Sequence, residues 1–259
     1  MSIEPQASGA ALDPDLRGII GRPVTDFLEV FCRFHPEVAA LHFAAYTPEP
    51  KLSERLQNML TQQEQEIRDL AVTICRGNGI PFYDALLGIC MRRDTVPERF
   101  LESAAVHSSN APALTFDLTP REVTSTRIAE MIAQLPTGHG LVVSSKLRLN
   151  SEAVRQIPML DFRCPCSSGN AHAISKILLL LGEKQGVLVE SGRSYHYYGT
   201  RLLAMSEWIE FMARALLFAP IVDPRFVAHR IADGECRLKI VASKEGEIPK
   251  IVDGYPDDN

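Results

Sequence analysis

The chain has 259 residues, 46% of them hydrophobic and 23% charged, enough to bury a core without disulfide or metal staples and ordinary for a folded protein. Its formal net charge of −5 removes any global positive field, so contact with nucleic acid has to come from a local basic face. The six cysteines are scattered, Met1 to Asp15 lacks a secretory apolar core, and the longest apolar stretch, Ile177 to Leu181, is too short for a bilayer. A reducing, cytoplasmic compartment and no membrane partner are the expectation.

Residues 1–22 carry no period and read as a loose leader. From Val24 to Ala45 the residues Phe27, Val30, Phe31 and Phe34 recur at helical spacing, with Pro36 as a break or a new start. Lys51 to Cys75 draws a clearer helical stripe, and Arg76-Gly-Asn-Gly79 has the composition of a glycine C-cap. Tyr83 to Met91 is a further helix. The period is lost after Pro97, so the boundary of a helical N-terminal lobe, residues 23–105, is placed here.

The remaining lobe, 106–259, reads as α+β. Thr119-Pro-Arg-Glu122 is a capping box with Pro at the first helical position, predicting a helix to about Leu135. Leu141 to Leu149 alternates, with Leu141, Val143 and Leu147 on one face and Ser144, Lys146 and Arg148 on the other. Further strands are predicted at Ile157–Phe162, Gly186–Glu190, Tyr195–Tyr198 and Cys236–Ala242, and helices at Ala171–Leu181 and Met205–Phe218. Gly254 to Asn259 is an acidic tail expected to fray.

Three features of this lobe carry chemistry: Asp161 after an apolar strand, the segment Ser191 to His196 (Ser-Gly-Arg-Ser-Tyr-His), and Asp223 in Ile-Val-Asp-Pro. Ordered carboxylates on strands are suited to divalent metal, and a hydroxyl and an imidazole two residues apart share a strand face where both could meet phosphate. Each has a plainer reading as well. An Asp before Pro or a loop caps turns, and a His among Tyr195, Tyr197 and Tyr198 packs in a core.

The order of these residues resembles the archaeo-eukaryotic primase superfamily, most closely its primase 1D-like members, over roughly Leu141 to Val252. The resemblance implies a mixed sheet with an RRM-like core, and nucleotidyl transfer with Mg2+ or Mn2+ at Asp161 and Asp223. It also implies phosphate contacts from Ser194 and His196, and a basic residue on the closing strand, which Arg237 matches. Nucleoside triphosphate and single-stranded nucleic acid are the implied partners, with Arg193, Arg201, Lys146, Arg148 and Lys239 as further candidates for a basic groove. The helical N-terminal lobe lies outside the resemblance and is a candidate for recruiting a protein partner.

One position departs from the family. Two residues after Asp161, where the family has a second carboxylate on the same strand face, this chain has Arg163. A pair of unit charges about 4 Å apart is worth roughly 4 kcal/mol at an effective dielectric of about 20, so exchanging an anion for a cation beside a divalent ion works strongly against a two-metal centre. Glu190, ending the strand before the Ser-Gly-Arg-Ser-Tyr-His turn, is the nearest substitute ligand. Two readings therefore stay open, a nucleotidyltransferase and a primase-like binding module with impaired catalysis or a scaffold role, in a mobile-element or defence system. Cys164-Pro-Cys166 with His172, and Cys32-x-x-His35, could be assembled into a zinc site, but the signal is weak: Cys-x-Cys is tighter than the usual structural spacing, and Cys-x-x-His on an apolar helix is usually packing. No Walker, dinucleotide-binding or nucleophile-elbow pattern is present.

Overall fold

The computed structural model describes residues 13–47, 60–78, 80–105, 112, 114–192, 194–241 and 248–255. By internal contacts the chain forms two units, one of residues 1–47 with 112–259 and one of residues 48–111. The smaller unit is helical: α3 (Gln62–Asn78), α4 (Phe82–Arg92) and α5 (Glu98–Ala105). They enclose a core of their own, in which Ile67, Ala71, Leu86, Cys90 and Phe100 are buried. The predicted stripe from Lys51 survives from Gln62 onward, and its first turns lie outside the described residues.

The larger unit is α+β, and it begins earlier than the expected boundary. The short α1 (Pro14–Arg17) buries Leu16, so at least this part of the expected leader belongs to the core. The helix predicted from Val24 is real but ends at Phe34 (α2), because Pro36 disfavours helical backbone at His35. Beyond it, Val38–Tyr46 is a strand, β1, rather than more helix. Its hydrogen bonds go to β2 (Thr115–Leu118) and β3 (Gly140–Leu149). A helical lobe of residues 23–105 is therefore corrected: residues 23–47 are held in the α+β unit by a ladder to strands more than sixty-five residues later.

The capping box at Thr119 closes only a turn, in which Glu122 accepts from the Thr119 amide and hydroxyl. The helix, α6 (Ser125–Ala133), starts one step later with Thr124 as its cap. On β3 the inward residues Leu141, Val143, Ser145 and Leu147 are almost fully buried, while Lys146 and Arg148 are exposed on the other face. One edge of β3 carries β1; the other is shared by β4 (Val154–Gln156) and β8 (Arg237–Val241).

The second sheet has the order β5 (Met159–Asp161), β7 (Tyr195–Gly199), β6 (Gly186–Glu190), β9 (Lys250–Tyr255). The helix α7 (Ser168–Leu180) links β5 to β6, leaving these strands running the same way but one place apart. β7 fills the gap antiparallel to both. The expected mixed sheet is for this reason two sheets whose ladders are antiparallel throughout the described residues. The local pattern does not announce β2, β4, α5, α9 (Pro224–Asp233) or β9, the last of which lies where fraying is expected from Gly254 onward. Before α9 in the chain come α8 (Met205–Ala215) and one turn of 3-10 helix, Leu216–Phe218. Both sheets, α2, α7 and α8 contribute to one core. Among the described residues no helix is long and apolar enough to cross a membrane.

The packing of β6 against β7 depends on a missing side chain. A Cβ at Gly186 would lie 2.5 Å from the ring of Tyr197 and 2.6 Å from the carbonyl oxygen of Tyr198. The ring cannot swing away, because the Tyr197 hydroxyl donates to Glu183 and lies within hydrogen-bond distance of the Gln185 carbonyl. Gly186→Ala is expected to destabilise the unit by about 1–3 kcal/mol, the usual range for overpacking. Thermal unfolding followed by circular dichroism measures it as a drop of several degrees in Tm.

Candidate nucleotide-binding site

Three antiparallel registers build the site. On β5 and β7, Asp161 is paired with His196 and Leu160 with Tyr197. On β7 and β6, His196 is in turn paired with Val189. On the free edge of β5 the chain after the 3-10 turn makes a short ladder, in which Phe162 bridges Val222, the Asp223 amide donates to the Asp161 carbonyl at 3.1 Å, and the Arg163 amide donates to Ile221 at 2.8 Å. Directly paired residues point to the same face of a sheet, about 4.5–5.5 Å apart at Cβ. Asp223, Asp161 and His196 therefore form a row across three adjacent strands.

The same pleat decides the other candidates. Glu190 is paired with Tyr195, one step out of phase with His196, so it faces the opposite side of the sheet, beside Cys166. It does not join the carboxylates, which corrects the expectation that it substitutes for the missing ligand. Ser194 precedes β7. The bond from the Phe162 amide to the Tyr195 carbonyl extends the register and sets Ser194 opposite Arg163, on the His196 face. Arg193 lies outside the described residues. Arg201 is drawn into an ion pair with the buried Glu183 and has no part in the row.

Asp223 has two engagements already. It caps α9, its Oδ1 accepting from the amides of Arg225 at 2.9 Å and Phe226 at 3.2 Å. Its Oδ2 lies 3.6 Å from the Nε of Arg163. The residue that breaks the family pattern thus turns its cation onto the second carboxylate of the row. Among the described residues no group of three or more His, Cys, Asp and Glu side chains is arranged to hold a metal ion. The residues present do not fit a two-metal centre.

Asp161 is set differently. Burial, and then the neighbouring Asp223, push its carboxyl up from 3.8 to about 7, against the opposing pull of Lys239, Arg163 and Arg230. His196 lies 3.6 Å from Asp161 through Nε2 and is 6% exposed. Burial, and then Lys239, hold its pKa down to about 3, so the imidazole is neutral, and its Nδ1 is buried with no hydrogen-bond partner. A buried polar atom without a partner is a destabilising feature that a bound ligand can relieve.

The cation that acts on both groups from the closing strand is Lys239, not Arg237. Both lie on the exposed face of β8, but Arg237 is paired with Glu235, whereas the Lys239 ammonium sits 5.1 Å from the centre of the Tyr46 ring. The alternation Arg237-Leu-Lys239 was the available signal for Lys239. No comparable signal exists for Arg230, which is brought in by the unanticipated α9. Arg237 lines a separate open cleft of about 230 Å3 with His42, Asp117, Ser144 and Glu235.

The raised carboxyl has a defined sign in stability. The unfolded chain releases the Asp161 proton near pH 4, whereas the folded chain holds it to about 7, so folding becomes less favourable as pH rises through that window. Asp161→Asn is expected to raise Tm at pH 8 and to leave it nearly unchanged at pH 4, as measured by thermal unfolding across pH.

The family model for archaeo-eukaryotic primase 1D-like proteins matches residues 119–251, which takes in both sheets except β1, β2 and the end of β9 and includes every member of the row. No curated protein and no solved structure matches the chain. Covering just over half of the 259 residues, the match shows that the chain belongs to the archaeo-eukaryotic primase 1D-like family.

Proposed function

We propose that this protein binds the phosphates of a nucleotide, and of a nucleic-acid strand, at the Asp223–Asp161–His196 row, and that its nucleotidyl transfer is impaired. The observation that carries this reading is the pairing of Arg163 with Asp223. The second carboxylate is occupied by a helix cap on one oxygen and a guanidinium on the other. The first holds a proton up to about neutral pH. Phosphate is suited to such a place: Lys239 and Arg163 supply positive charge, the neutral His196 and the Ser194 hydroxyl supply hydrogen bonds, and the protonated Asp161 removes one source of repulsion.

Membership of the family supports a nucleotide- or nucleic-acid-related role, and the substrate and activity are part of the proposal. Template-directed extension of a primer with Mg2+ or Mn2+ is expected to be weak or absent. Robust template-dependent synthesis, abolished by Asp161→Ala, would show that the row is a working transfer centre and overturn the reading.

Binding is tested separately. Nucleoside triphosphate in the presence of EDTA is expected to raise Tm, since a ligand that binds only the folded state stabilises it. Lys239→Ala, a change at an exposed side chain, should remove most of that rise. Arg163→Asp should instead increase affinity for Mn2+, because it exchanges a repelling cation for a carboxylate beside Asp223; calorimetric titration of the metal measures this.

A further inference from the structure

The helix α8 buries Trp208, Phe211, Met212 and Ala215 against the core. Its outer side carries an apolar stripe as well. Met205, 39% exposed, Ile209, 42%, and Leu217 in the following turn, 80%, recur every four or eight residues with Ala213 between them, one stripe along the helix. The stripe continues onto α7. Arg214 Nη2 donates to the Leu180 carbonyl at 2.7 Å, so the C-terminal ends of the two helices meet, and there Leu179 and Leu180 are 64% and 60% exposed. Single exposed apolar residues are ordinary on a protein surface, but a joined patch of large ones marks a contact surface.

The charges around the patch are divided by position. Glu207 and Glu210 flank its N-terminal half, and Arg214 and Lys176 flank its C-terminal half. A surface that is acidic at one end and basic at the other is complementary to itself when turned end for end, the requirement of an isologous two-fold contact. A two-fold axis crossing α8 near Ala213 would set Ile209 against Leu217 of a second copy and bring Glu210 within reach of the second copy's Arg214. The small side chain of Ala213 lets the helices approach closely at the crossing.

We propose that α8 and the end of α7 form the interface of a homodimer of this chain, paired antiparallel through α8. One helix and one helix end offer less than the roughly 800 Å2 for each partner of a standard specific interface, so the dimer is weak and depends on concentration. This assembly is independent of the nucleotide site.

Sedimentation velocity of the full chain over a wide concentration range tests it. The weight-average mass is expected to climb from one chain to two. Leu217→Asp should weaken association at least about tenfold without changing Tm, since Leu217 is exposed. Glu210→Arg alone should weaken it, and Glu210→Arg combined with Arg214→Glu should restore it, because the swap recreates the complementary pattern. A mass of one chain at every concentration, a dimer indifferent to Leu217→Asp, or a charge swap that fails to recover association would each overturn the proposal; the last two would assign the surface to a different occupant.

Discussion

The short ladder between Phe162 and Val222 is the constraint on which the site depends. It is a single bridge flanked by two backbone hydrogen bonds, yet it attaches the chain after the 3-10 turn to the edge of β5 and puts Asp223 level with Asp161. The same contact starts α9, since Asp223 is its cap. One carboxylate thus serves a helix N-terminus, where its negative charge is stabilised by the first-turn amides, and closes a row of polar residues that crosses the strands. Were the ladder one residue out of register, Val222 would meet Asp161, and Asp223 would face the other side of the sheet.

Electrostatics around the row follow from that geometry. Two carboxylates side by side and partly out of water cannot both ionise without compensation, and the chain supplies compensation unevenly. Arg163 and the helix amides go to Asp223, leaving Asp161 to retain a proton. In the family pattern the position of Arg163 holds a carboxylate and the compensation would come from metal ions; here it is covalently built in. An internal guanidinium is always present and cannot be exchanged, so it neutralises charge but does not offer open coordination positions. On that distinction rests the proposal of phosphate binding in place of transfer.

The elements of the α+β unit that could be read from local pattern are those with a strong period or a clear break. These include β3 with its polar face, β6, the tyrosine-rich β7, and the helices α7 and α8. Elsewhere a tertiary contact overrides the local pattern. Val38 to Tyr46 continues the apolar run of the preceding helix, and only its pairing with β2 and β3 makes it the strand β1. The capping box at Thr119 closed a turn because the chain enters α6 through Thr124 instead.

What the sequence by itself determined is chemical: the presence and order of Asp161, Ser194, His196 and Asp223, the family they resemble, and the misplaced charge at Arg163. Composition and periodicity also determined the α+β class, because alternation and helical stripes are properties of short windows. Only the tertiary structure decided which of these residues share a face. Strand register has a period of two, so one step separates Glu190, which looks away, from His196, which joins the carboxylates. The choice of Lys239 over Arg237, the partner of Arg163 and the proton on Asp161 were likewise decided there. Each depends on distances between segments that are far apart along the chain, and no local pattern encodes those distances.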